Sequence, residues 1–314
     1  MKNYKHAAII LLFLFFKAAL FSQGIHIEGL VISEDSSPVP YATMYDGSQK
    51  SGTFSDSLGR YSITMPDNVK ELHISAIGYK SKTITVGPSD NLSDFHIVLQ
   101  NDTFKLKEVV ISSKTFKPKQ VELGPEKKIK GGIGLCSQLN RQTGLYIPNP
   151  EQIHGEIKSV EVYLEKKSDE TNYLIRLRIF SVDENLYPAN DLLLDNVLLQ
   201  VKKSKGDQLV KIDLGKYNIP IPSNGIIIAL ELVHNTQEHY PFNLNAQNTA
   251  TDKCLTFKTA LVDDTTKKFV YWDRRDNGKW YSIDFTSPYQ EGGFKVTNLI
   301  PYVKLTINEY TDQK

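Results

Sequence analysis

The chain has 314 residues, with 37 lysines and arginines against 36 aspartates and glutamates, seven histidines, two cysteines and 40% hydrophobic residues. This is ordinary globular composition, which excludes disordered, collagenous and disulfide-scaffold classes. A net charge of +1 leaves no whole-chain basic field to draw the protein onto nucleic acid, and at roughly 100–200 residues per domain the length predicts two domains.

Residues 1–22 have the build of a secretory signal peptide. Lys2 and Lys5 give a positive start, and Ala7 to Phe16 form an unbroken apolar run of ten. A membrane-spanning helix needs about 20 such residues, so the run predicts export with cleavage near Ser22 or Gln23. A short N-terminal anchor with a snorkelling Lys17 is the competing reading. No cysteine follows the run, so a bacterial lipoprotein attachment is not expected. Removing the segment takes away three lysines and no acid, which brings the net charge from +1 to −2. The expected location is exported: periplasmic, outer-membrane-associated or secreted.

From Ile25 onward the texture is short alternating strands broken by Gly, Pro, Asn and Asp, and the predicted class is all-β. Strands are expected near 25–33, 41–46, 51–55, 60–65, 71–76, 80–86 and 94–100. Tyr61, Ile63 and Met65 share one face, as do Leu72, Ile74 and Ala76, and Phe95, Ile97 and Leu99. Seven strands over residues 24–101 predict a small sandwich of two packed sheets, immunoglobulin-like in arrangement. Residues 102–130 gather lysines around Pro118 and Pro125. They read as a solvated linker, with a basic patch for lipid headgroups or a polyanion as the alternative. Within them 106–111 is strand-like: Leu106, Glu108, Val109, Val110 and Ile111 could pair with a partner's edge or close the first domain.

Residues 131–310 show longer strands, expected at 132–139, 155–167, 173–183, 196–204, 208–214, 225–233, 253–260, 268–274, 279–285 and 298–309. The best helical candidate is the short stretch 188–195. Alternation puts Ile175, Leu177 and Ile179 on one face of a strand and Arg176 and Arg178 on the other. Asp276-Asn277-Gly278 marks a hairpin between Tyr271-Trp272 and Trp280-Tyr281. Nine or ten such strands predict a jelly-roll-like sandwich. Cys136 and Cys254 could pair in an oxidising compartment, or each could be a buried free thiol. Neither has a Cys or His at zinc-ligand spacing.

Chemistry is sparse. No His-Glu-x-x-His, Gly-x-Ser-x-Gly or phosphate-binding Gly-rich loop occurs, and His234, Glu238 and His239 read as a polar loop rather than a cation site. An enzyme is not expected, nor a cofactor, nor a metal. The one constellation with binding character is the hairpin of Tyr271, Trp272, Arg274, Arg275, Lys279, Trp280 and Tyr281. Aromatic faces and arginines there could stack on and hydrogen-bond a sugar. Alternation opposes this in part, because Tyr271 and Trp272 point to opposite faces, as do Trp280 and Tyr281.

Residues 29–111 carry an ordered set of motifs. Gly29-Leu30-Val31 is followed by Pro38-Val39-Pro40-Tyr41-Ala42-Thr43, then by the run from Gly52 to Tyr61 with Asp56-Ser57-Leu58-Gly59-Arg60. Leu72-His73-Ile74-Ser75-Ala76-Ile77-Gly78-Tyr79-Lys80 comes next, and Leu106 to Ile111 closes the set. This resembles the carboxypeptidase-regulatory-like domain of Gram-negative envelope proteins, a transthyretin-like seven-stranded sandwich found before the plug of TonB-dependent receptors. The resemblance implies no catalytic residue; Gly59 and Asp56 read as turn residues, and Gly78 as a bend. About 200 residues follow the motifs, without the barrel-sized run of hairpins that such receptors carry. The expected function is a non-enzymatic interaction or assembly module with an envelope protein partner. A glycan-binding accessory protein, taking a polysaccharide on the 271–281 hairpin, is the alternative.

Overall fold

Alternating burial along a pleated backbone gives each strand one apolar face, and sheets pair those faces to exclude water. The computed structural model describes residues 24–48, 51–87, 92–102, 118–125, 127–136, 142–165, 173–202, 205–233, 254–261, 269–274, 279–283 and 299–310. Among them the secondary structure is almost wholly strand, with one short 3-10 turn at Gly215–Tyr217.

The N-terminal strands are β1 (Ile25–Ser33), β2 (Thr43–Asp46), β3 (Gly52–Phe54), β4 (Arg60–Met65), β5 (Glu71–Ser75), β6 (Lys82–Thr85) and β7 (Ile97–Leu99). They form one sheet in the order β4-β1-β7 and another in the order β3-β2-β5-β6. Tyr61, Ile63 and Met65 of β4 meet Leu72 and Ile74 of β5 and Ile97 and Leu99 of β7 in one core with Ile27, Val31 and Met44. The turn into β4 is built from its own residues. The Asp56 carboxylate accepts the backbone N–H of Leu58 at 2.8 Å and of Arg60 at 2.9 Å, and the Arg60 Nε–H at 2.8 Å. Gly59 there has φ +75°, and a Cβ would lie 2.6 Å from the Val31 carbonyl oxygen, so only glycine fits.

The second set of strands is β8 (Lys119–Leu123), β9 (Lys127–Cys136), β10 (Gln142–Ile147), β11 (Gly155–Leu164), β12 (Tyr173–Val182), β13 (Pro188–Asp191), β14 (Val197–Val201), β15 (Gln208–Asp213), β16 (Ile226–Val233), β17 (Cys254–Leu261), β18 (Val270–Arg274), β19 (Trp280–Ile283), β20 (Leu299–Pro301) and β21 (Val303–Glu309). A front sheet runs β13-β12-β16-β10-β18-β19 with β14 also on β12, and a back sheet runs β20-β17-β11-β21-β8 with β15 on β11 and β9 on β17. Leu145, Ile175, Leu177, Ile179, Ile228 and Leu230 of the front sheet pack on Val160, Val162, Leu305 and Ile307 of the back sheet.

Three expectations change. Residues 188–191 are a strand, not the start of a helix: the turn after β12 folds the chain back, and Pro188 and Asp191 pair with Val182 and Phe180. In that turn the Asp183 carboxylate accepts the N–H groups of Asn185 and Tyr187, each at 2.8 Å. The stretch read as linker holds β8, which pairs with β21 from Lys119↔Glu309 to Leu123↔Leu305. β10 has no counterpart among the expected strands, because all six of its residues are buried and no alternation announces it. The β9–β17 register sets Cys136 opposite Cys254.

Candidate functional site

The outer face of the front sheet, away from its apolar core, carries an in-register polar row. Arg176 of β12 stands opposite Glu231 of β16, Glu231 opposite Gln142 of β10, Gln142 opposite Arg274 of β18, and Arg274 opposite Trp280 of β19. Opposed residues on neighbouring strands lie about 4.5–5.5 Å apart, so the row is a continuous stripe across the sheet. Arg178, one step along β12 from this row on the same face, is ion-paired with Asp191 and lies 3.8 Å from Glu231.

The N-terminal domain covers one end of this stripe. Arg176 is 2% exposed and Glu231 1% exposed. The Arg176 Nε and Nη2 groups donate to Glu231 Oε2 at 3.0 and 2.8 Å. Nη1 donates to the Tyr41 carbonyl oxygen at 2.7 Å and to Asn196 Oδ1 at 3.2 Å, and Nη2 also reaches Thr43 Oγ1 at 3.2 Å. A guanidinium has five N–H donors, and this set of acceptors matches all of them. Two belong to the N-terminal domain. Burial presses the Arg176 guanidinium below its ordinary pKa, and the charge and hydrogen bonds of Glu231 oppose that. Asn196 adds a further link to the Pro40 carbonyl oxygen at 3.3 Å. Around the bonds lies an apolar seal of Phe54, Tyr41 and Tyr45 against Val233, Leu174 and Leu198, with the Arg176 Cζ 5.9 Å from the Phe54 ring centre.

Beyond this joint the two domains part to leave a cavity of about 410 Å3. Its floor is the polar row, from Arg176 to Trp280, with Arg178 and Asp191. One wall is the 75–79 bend of the N-terminal domain with Asp102, and the other is the 187–194 segment with Tyr187. On the first wall Gly78 has φ +80°, and a Cβ there would lie 3.3 Å from the Leu194 carbonyl oxygen of the second. Burial also lowers the Arg274 pKa, against the attraction of Glu231.

The hairpin residues singled out in the sequence do not form an open platform. Tyr271 and Trp272 are buried, at 4% and 7% exposure. Tyr271 stands opposite Leu145, while Trp272 packs on Phe180 and Tyr146 and meets the Tyr187 ring edge-on at 5.4 Å. Pleating turns Tyr271 to the inner face, and side-chain packing covers Trp272 on the outer one. Trp280 is half-buried and edge-on to Phe180 at 5.5 Å, and Arg274 and Trp280 reach the cavity. Tyr281 is exposed on the other side of its strand, and Lys279 is exposed in the turn before it. Arg275, the strand candidates Leu106, Glu108, Val109, Val110 and Ile111, the His234–Glu238–His239 loop and residues 1–22 lie outside the described residues.

Sequence reasoning placed Arg176 on the polar face but gave it no role. The signal was there, in two arginines alternating with isoleucine and leucine on a long strand, opposite Glu231 within an otherwise apolar one. Among the described residues no group of three or more His, Cys, Asp or Glu could hold a metal, and no helix is long and apolar enough to cross a membrane.

Residues 27–111 match the family model of the CarboxypepD_reg-like domain, the family that the motifs between Gly29 and Ile111 resemble. Two relatives extend this. The chain is 32% identical over 132 residues to TonB-dependent receptor P3 of Formosa agariphila, a match covering 41% of this chain and 13% of that receptor. It is 28% identical over 156 residues to TonB-dependent receptor P39 of the same organism, covering 49% of this chain and 14% of the receptor. The chain thus matches about one seventh of the length of these relatives. A solved structure of infectious bursal disease virus, Gx strain, aligns with 91% of this chain and 65% of its own at 11% identity, but with a TM-score of 0.18 it carries no fold assignment.

Proposed function

We propose that this chain is an exported, non-catalytic component of a Gram-negative cell envelope that acts as an interaction or assembly module, with a transthyretin-like sandwich riding on a jelly-roll-like one. The observation that carries this reading is the joint at Arg176. A CarboxypepD_reg-like domain is held on the second domain by a fully hydrogen-bonded guanidinium and an apolar seal, rather than tethered by a linker alone. Fixing the domain fixes the strand edges it offers. Among the described residues β6 ends the β3-β2-β5-β6 sheet, and Lys82, Thr83 and Thr85 on it are exposed. Such an edge offers unpaired backbone groups for strand addition by a partner protein. The similarity to TonB-dependent receptors supports an outer-membrane or envelope setting for that partner.

The test is recovery of the tagged full-length protein from its own envelope fraction after mild detergent extraction, with co-purifying proteins identified by mass. A stoichiometric membrane partner is expected. It should be lost when proline is placed at the positions of residues 82–85 whose N–H points away from β5, since proline removes outward donors and leaves the inner ladder intact. A protein recovered alone from the soluble fraction would sink this reading.

A further inference from the structure

The interdomain cavity of about 410 Å3 falls within the roughly 300–1,000 Å3 of small-molecule sites, and its floor holds an unresolved demand. Glu231 Oε1 and Gln142 Oε1 are buried and find no hydrogen-bond partner among the described residues. They belong to opposed residues on adjacent strands, and both residues line the cavity. Buried acceptors are ordinarily satisfied, and an unsatisfied one points to a missing donor.

Charge narrows what that donor can be. A cation would supply N–H groups, but Arg176, Arg178 and Arg274 line the same space and repel it. An anion would suit the arginines, but it would face Glu231, Asp191 and Asp102. An apolar ligand would leave both oxygens unpaired at full desolvation cost. A neutral molecule rich in hydroxyl groups meets every condition, because each hydroxyl both donates and accepts. Tyr187 and Trp280 add aromatic surface for the C–H side of such a molecule.

We propose that the interdomain cavity binds a neutral sugar, as a free mono- or disaccharide or as the end of a glycan chain. Its hydroxyls donate to Glu231 Oε1 and Gln142 Oε1, and its apolar ring face lies on Tyr187 and Trp280. The site differs from an open hairpin platform: it is a cleft between two walls, it uses β10, β12 and β16 as well as the hairpin, and the N-terminal domain supplies one wall. It stands independently of the protein partner.

The experiment uses labelled full-length protein on a printed array of neutral glycans, uronic-acid glycans and amino-sugar glycans. Calorimetric titration with the neutral glycan that captures most protein then follows. Neutral glycans are expected to bind, in preference to either charged class. Gln142→Met should weaken that binding at least tenfold while the melting temperature holds, because removing an unsatisfied buried oxygen offsets the loss of the long 3.4 Å bond from Gln142 Nε2 to Glu231 Oε2. That split between binding and stability is a signature a merely structural glutamine would not give. Tyr187→Ala, at a partly exposed position, should also weaken binding at least tenfold with an unchanged circular dichroism spectrum. Failure to capture any neutral glycan, better binding of a charged class, or wild-type affinity in both variants would overturn the proposal.

Discussion

Leu177 and Arg176 are neighbours on β12, both almost wholly buried, and they are kept dry by opposite means. Leu177 faces the inner side of the front sheet, where its neighbours are Ile175, Ile179, Leu230 and the side chains of the back sheet. Any apolar residue of similar volume would serve there. Arg176 faces the outer side and is dry only because another domain brings a carbonyl and a hydroxyl to it, while Glu231 brings the countercharge. Apolar burial needs a shape; polar burial needs named atoms in place. A buried ion pair contributes less to stability than its geometry promises, since desolvation offsets most of the attraction. Two of the acceptors that Arg176 meets, the Tyr41 carbonyl and the Thr43 hydroxyl, come from the N-terminal domain, so the pair is tied to this docking of the two domains.

This contrast can be broken from either side. Glu231→Ala should be the most damaging change, at about 3–5 kcal/mol of unfolding free energy, because it leaves Arg176 charged and under-bonded in a dry site; urea unfolding of wild type and variant measures it. Combined with Arg176→Met, much of that loss should return, and a double variant as unstable as the single one would mean that the ion pair itself, not the orphaned charge, carries the energy. On the inner face Leu177→Ala should cost about 2–5 kcal/mol by the cavity it leaves. Unlike Glu231→Ala, it should show no rescue by Arg176→Met.

The local turn of the first sandwich sharpens the scale. Gly59→Ala puts a side chain at φ +75° against the Val31 carbonyl, and should cost at least about 1–2 kcal/mol, read as a lower melting temperature. Asp56→Asn should cost about 1 kcal/mol and remove a pH dependence. Burial raises the Asp56 pKa, but hydrogen bonds from Arg60 and Leu58 and the Arg60 charge outweigh it and hold the carboxyl below its ordinary value. The stabilisation is therefore complete above the unfolded aspartate value of about 3.9 and fades as pH falls through the folded one. Melting curves of wild type and variant should converge at low pH and separate towards neutrality.

Legibility followed the range of the interactions. The turn at Asp56-Ser57-Leu58-Gly59-Arg60 is settled within five residues, and it could be read directly. The alternating strands β4, β5 and β12 were equally open, because a half-buried pleat writes itself with period two. β10 was hidden since it is buried on both faces. The 188–191 segment was misread because its Leu192-Leu193-Leu194 neighbours look helical, while its partner strand lies across a turn. The hairpin aromatics could be read as a group, and alternation already turned one of each pair inward. Whether the outward ring stays exposed depends on what covers the sheet, and Tyr187, 85 positions before Trp272 in the chain, covers Trp272.

The sequence by itself determined the nearly all-β character of the described residues, a CarboxypepD_reg-like segment with its turns, and the two-faced character of β12. All of these depend on near neighbours or on a repeating pattern. The tertiary structure alone decided that Cys136 and Cys254 stand opposite each other, that β8 joins the second domain, and that Arg176, Glu231, Gln142, Arg274 and Trp280 form one row beneath a second domain. Each of those depends on strand register between segments far apart in the chain. A shift of one residue there would send the same side chains to the other face.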